Sequence, residues 1–140
     1  MAVQGLEGGR GAHERWHITS TDIHPTSFPK LGRVISRDLG YAVAFHGFGR
    51  EGILVGGAAA NSLKREVTDA IGRAVAGSGI AMSIAQPGDE LGGSIPRNIV
   101  NRPTAGGTSG IQIEQGSAAR EGYWQAIANP VADVYGPKLA

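Results

Sequence analysis

The stretch YAVAFHGFGREGILVGG, residues 41–57, holds two readings that lead to different folds. Tyr41 to His46 is a continuous apolar run closed by His-Gly, the pattern of a buried strand. Gly47 to Gly52 then spells G-x-G-x-x-G, which after a strand suggests a dinucleotide-binding loop. That loop needs its last glycine to open a helix, whose N-terminus holds the pyrophosphate. Gly52 instead leads into ILVGG, a second short strand stopped by two glycines. The segment is therefore a strand–turn–strand connection, and a nucleotide site is set aside.

Working outward, residues 58–77 are Ala-rich, with Leu63, Val67, Ile71 and Val75 at steps of four. That spacing predicts an amphipathic helix whose apolar stripe packs on a sheet. IAMSIA (80–85) reads as the next strand, and residues 86–109 form a long Gly/Pro/Asn/Arg segment with little periodicity. Loops of that length are uncommon in small domains and often functional. GIQIEQ (110–115) alternates, placing Ile111 and Ile113 on one face and Gln112 and Glu114 on a polar one. Ser117 is placed to cap a final helix carrying Tyr123, Trp124, Ile127, Val131 and Tyr135, with a kink expected near Pro130. Upstream, WHITST (16–21) is β-branched and predicts a short strand. Residues 24–38 predict a short helix with Ser27 as N-cap, Pro29 in the first turn and Leu31, Val34 and Ile35 on one face. Strands alternating with helices predict an α/β layered domain, a mixed central sheet flanked by helices, formed as a single domain over 1–140. In such sheets function gathers at the carboxyl ends of strands, where His46 and Glu114 both fall.

Thirteen Lys+Arg against twelve Asp+Glu give a net charge of +1, with no basic stripe to hold nucleic acid or an anionic membrane. The chain has no Cys, which excludes disulfides and thiolate metal sites. No apolar run reaches the roughly 18 residues of a membrane span, and the first residues lack the apolar core of a secretion signal. The expected location is cytoplasmic.

HERWH, residues 13–17, matches the letters of the zinc-protease signature H-E-x-x-H. The signature works on a helix, where i and i+4 bring two imidazoles to one face. Here GGRGA precedes it and ITST comes after, and neither flank is helical. On a strand His13 and His17 would stand roughly 13 Å apart, at ~3.3 Å per residue, too far to share a metal. The match is read as a coincidence of letters.

Four segments together carry a resemblance: RWHITSTDIHP (15–25), AVAFHGFGREGILVGG (42–57), IPRNIVNR (95–102) and GIQIEQGSAAR (110–120). In this order and spacing they resemble the poly-γ-glutamate hydrolases of phages and bacteria, small zinc peptidases with a fold related to zinc carboxypeptidases. The resemblance runs from about residue 3 to residue 135. It implies a zinc ion as cofactor, with His46 as a ligand, and Glu114 as the general base acting on zinc-bound water. It implies poly-γ-glutamate or another γ-glutamyl compound as substrate, and phage lysis as a route of release. Asn98, Asn101, Arg102 and Arg120 match positions inferred to bind substrate carboxylates, which the planar guanidinium fork suits. His17 is expected to support the site rather than bind metal. Read without the resemblance, His46 is equally a structural histidine, Glu114 a solvated carboxylate and Arg102 a brace for loop carbonyls.

The family also carries a His-Gly-Gly-x-x-Glu-type segment that supplies its other two zinc ligands, ahead of the region to which VQGL (3–6) corresponds. Three expectations arise. The reading frame begins upstream; or Glu7, His13, Glu14, His17 or His24 substitutes; or the chain is a metal-free relative that binds polyanionic carboxylates. Loss of that segment would also leave a sheet edge open, inviting a homo-oligomer.

Overall fold

The computed structural model describes residues 17–139. Four strands form one sheet: β1 (Ala42–Gly47), β2 (Ile53–Gly56), β3 (Met82–Ile84) and β4 (Gly110–Gln115), in the spatial order β1-β4-β2-β3. β1 lies parallel to β4, β4 antiparallel to β2, and β2 parallel to β3. The sheet is thus mixed, as expected from the sequence. The turn between β1 and β2 does connect two strands, and no helix begins at Gly52, whose φ of +86° suits a residue without a side chain.

The apolar spacing after β2 forms α2 (Asn61–Ala74), preceded in the chain by a one-turn α1 (Gly32–Ile35). Val67 and Ile71 of α2, with Val75 just past its end, bury their side chains on one face of the sheet against Ile53, Val55, Ile111 and Ile113. The C-terminal helical region packs on the same face through Ile127, Val131 and Tyr135. The opposite face carries Gln112 and Glu114, and chain without regular repeat covers it. Leu91 and Asn98 hydrogen-bond to the Gln112 side chain there. Residues 20–23 brace this cover from outside, through Ile99 N–H to Ser20 O and Arg102 Nη1 to Ile23 O.

Several local expectations are corrected. Residues 17–19 have no regular structure and Ser20 to Asp22 form a turn, so the expected strand at 16–21 is absent among the described residues. Its hydrogen bonds are single: Asp22 N–H closes onto Thr19 O, and Ser20 O accepts from Ile99. The expected helix near Ser27 is a 3-10 turn, Pro29–Leu31, running into α1. Phe28 stands at its N-cap without a side-chain bond. The expected C-terminal helix is two, α3 (Ser117–Gly122) and α4 (Trp124–Tyr135), broken at Tyr123, and Gly116 rather than Ser117 occupies the cap. Pro130 sits within α4, which continues through it.

Candidate active site

β1 and β4 are in parallel register, with His46 beside Glu114. Neighbouring strands lie about 4.8 Å apart and registered residues share a face, so the two side chains emerge together at the carboxyl ends of both strands. They face the loop-covered side. Glu114 is 5% exposed, because every residue of β4 is buried on both faces. The polar face read from alternation is therefore not a solvated one: residues 86–109 roof it. Burial raises the Glu114 carboxyl above its ordinary range, and a hydrogen bond from Gln112 Nε2 (2.8 Å) to Oε1 partly opposes that. Desolvation lowers the His46 imidazole, favouring the neutral ring. A neutral imidazole and a proton-hungry carboxylate side by side are suited to metal ligation and proton transfer.

Asn98 is almost fully buried against Gln112: its Nδ2 donates to Gln112 Oε1 (2.9 Å), while its Oδ1 accepts from Val100 N–H (3.0 Å). Asn101 has no exposed surface. Its Nδ2 donates to Gly93 O (2.7 Å) and Ile95 O (2.8 Å), and its Oδ1 accepts from Ala58 N–H (3.1 Å). Both amide hydrogens of that carboxamide are spent on backbone carbonyls, the arrangement of a brace, and neither is left to donate to a ligand. Arg102 is half-buried on the loop side and gives Nη1 to Ile23 O at 2.6 Å, with the rest of its guanidinium uncommitted among the described residues.

Arg120 reaches the same end of the sheet from the other face. Its guanidinium lies on Gly47, where any side chain would overlap Nη1. Gly47 shares with Phe45 the strand face toward the helices, so Arg120 is separated from His46 and Glu114 by the end of β1. His17 is exposed at the first described position. His24 is engaged locally: its Nδ1 accepts from Thr26 N–H at 3.2 Å and lies 2.9 Å from Thr26 Oγ1. Glu7, His13 and Glu14 lie outside the described residues. Catalytic zinc sites take three protein ligands. Among the described residues no group of three His, Asp or Glu could hold a metal ion, so these residues alone do not fit a whole zinc site.

Gln112 is a site residue that sequence reasoning misses. The available signal is a glutamine two positions before Glu114 on a strand long enough to be central, where a polar residue must find a buried partner.

A family model described as poly-gamma-glutamate hydrolase matches residues 3–130. Among solved structures, a bacteriophage poly-gamma-glutamate hydrolase superposes with a TM-score of 0.65 at 26% identity, over 92% of this chain and 66% of that one. YNDL in its zinc-free apo form superposes with a TM-score of 0.67 at 20% identity, over 89% of this chain and 65% of that one, a likeness of fold. The chain thus spans about two thirds of the length of these solved relatives. No curated protein matches the sequence.

Proposed function

Since the chain belongs to the poly-γ-glutamate hydrolase family, we propose that it cleaves the γ-glutamyl amide bonds of poly-γ-glutamate, with Glu114 as general base and His46 as one ligand of a zinc ion. The observation that carries this reading is the register of β1 on β4, which sets a neutral imidazole beside a buried carboxylate. Zinc, when bound, would polarise the scissile carbonyl. The described residues would supply one nitrogen toward it, from His46, and further ligands would have to come from outside them.

The rest of the chemistry falls to the chain itself. Glu114 takes a proton from water as the water oxygen attacks the amide carbon. The same proton then passes to the leaving nitrogen as the C–N bond breaks, giving a carboxylic acid and an amine, and the acid's proton moves to the amine to leave carboxylate and ammonium. Burial suits Glu114 to both steps, since a raised proton affinity favours accepting the proton and the roof limits competing water. A γ-linked chain leaves one α-carboxylate free on every residue. Arg102, on the Glu114 side, is the stronger candidate to bind one; Arg120 would have to reach around Gly47.

Glu114→Gln keeps the shape and the Gln112 contact while removing the base. Turnover of poly-γ-glutamate should fall by about 1,000-fold or more with the circular dichroism spectrum unchanged, against α-linked polyglutamate as the specificity control. Retained turnover in this variant would sink the assignment.

The second reading is a metal-free module that binds polyanionic carboxylates, favoured by the part of the half-buried Arg102 guanidinium that no described residue engages. Binding of the polymer in chelator without any cleavage on zinc addition would select it.

A further inference from the structure

We propose that Gln112 is a positioning residue for Glu114, held by a hydrogen-bond chain whose direction the backbone fixes. The inference rests on the reading of Glu114 as the base. The chain begins at Val100 N–H, which can only donate, and it does so to Asn98 Oδ1 at 3.0 Å. That turns Asn98 Nδ2 toward Gln112, where it donates to Oε1 at 2.9 Å. Gln112 must then present Nε2 on its other side. It donates to Leu91 O at 3.1 Å and to Glu114 Oε1 at 2.8 Å. Both are groups that only accept, a carbonyl and a carboxylate.

Neither carboxamide can flip without setting like atoms against each other at two contacts or more. Asn98 and Gln112 are each 4% exposed, so water does not offer an alternative partner cheaply. Gly93 closes the cage: its φ is +62°, and a side chain there would overlap the Gln112 carboxamide. The result is a carboxylate with Oε1 held and Oε2 left to take the proton. This gives Asn98 a different part from the one its motif implied. Both its polar atoms are committed inside the roof, so it orients Gln112 rather than touching substrate.

Asn98→Asp tests the direction of the chain with almost no change of shape. One carboxylate oxygen keeps Val100 N–H, and the other faces Gln112, which must turn its own oxygen toward Glu114. The expected result is a kcat about 10- to 100-fold lower, as for other residues that orient a site from behind, with KM within about twofold. In a Glu114→Gln background the same change should add no further loss, because the group being oriented is gone. A raised KM with kcat preserved, or full additivity in the double variant, overturns the proposal. Should the Asp variant not fold, Gln112→Met fills the same volume without a donor and carries the same expectation.

A readout independent of turnover is the Gln112 side-chain amide in a 15N-labelled wild-type chain. Its Nε2 protons should exchange slowly and shift when Glu114 is replaced by Gln. Fast exchange with no shift overturns the proposal. If the wild type cleaves no polymer, the general-base reading fails, and the amide spectrum still decides whether the chain of hydrogen bonds exists.

Discussion

Asn101→Ala should cost this protein a large part of its stability without touching His46 or Glu114. The Asn101 side chain satisfies three backbone groups: it accepts from Ala58 N–H at 3.1 Å and donates to Gly93 O at 2.7 Å and Ile95 O at 2.8 Å. Those bonds tie the connection after β2 to two points of the 86–109 roof. Truncation leaves Ala58 N–H and Gly93 O without a protein partner among the described residues, while Ile95 O keeps its bond from Asn98 N–H at 3.0 Å. A buried group so orphaned costs about 1–3 kcal/mol, and these two, both half-buried, belong at the lower end. With the void left by a fully buried side chain, the loss comes to about 3 kcal/mol, a large share of the usual 5–15. At this chain length, about 3 °C per kcal/mol makes the Tm fall by about 9 °C. Urea unfolding followed by far-ultraviolet circular dichroism, with thermal melts beside it, measures both. Asn101→Asp should be no milder, because it keeps the acceptor for Ala58 but turns an oxygen on two carbonyls. A loss under about 1 kcal/mol, well inside the range of ordinary surface changes, would refute the bracing role and return Asn101 to the candidate ligands.

Two further substitutions separate packing from function. Tyr135→Phe removes a buried hydroxyl that has no hydrogen-bond partner among the described residues, and should raise stability by about 1 kcal/mol, or the Tm by about 3 °C. Burial first, then the neighbouring Tyr41 and Glu66, push the Tyr135 hydroxyl up to about 12. The unfolded chain ionises it near 10, so wild-type stability should fall from about pH 10 to 12 through this group, and the Phe variant should be spared that part. Melts at pH 8 and pH 11 that show the same gap between the two proteins would refute it. Gly47→Ala sets a methyl group on the Arg120 guanidinium. The arginine end can swing away, so stability should change by less than about 1 kcal/mol. If Arg120 binds polymer carboxylates, KM should rise severalfold at constant kcat; an unchanged KM removes Arg120 from the site.

The parts of this fold that are legible in the sequence are those where side-chain period and burial agree. Leu63, Val67, Ile71 and Val75 declare the α2 region because one stripe meets one apolar sheet face. The run 41–46 and the alternation at 110–115 declare β1 and β4 for the same reason. Reading fails where a third body intervenes. Gln112 and Glu114 look like a solvent-facing pair, yet an irregular roof buries them, and irregular chain leaves no periodic trace. The β-branched Ile18, Thr19 and Thr21 have strand propensity but no strand to pair with among the described residues; the segment lies across the roof and makes isolated backbone bonds instead. His46 and Glu114 are marked by their places at strand ends. Their adjacency needs the β1–β4 register, which no local pattern encodes, and the commitment of Asn98 and Asn101 to the roof is equally non-local.

His46 and Glu114 are held with unequal firmness. β4 is central and buried at every position, whereas β1 is an edge strand, paired only through β4 among the described residues and exposed at Phe45 and Gly47. β2, α2 and β3 are consecutive in the chain and can assemble locally, but β1 reaches β4 only after all of them and the 86–109 segment have been looped out. Amide protons of β1 should therefore exchange by local opening well below the free energy that releases β4. His46 would leave Glu114 in such an opening while the core around Ile113 stays packed, so the pair can come apart and reform in a molecule that never unfolds.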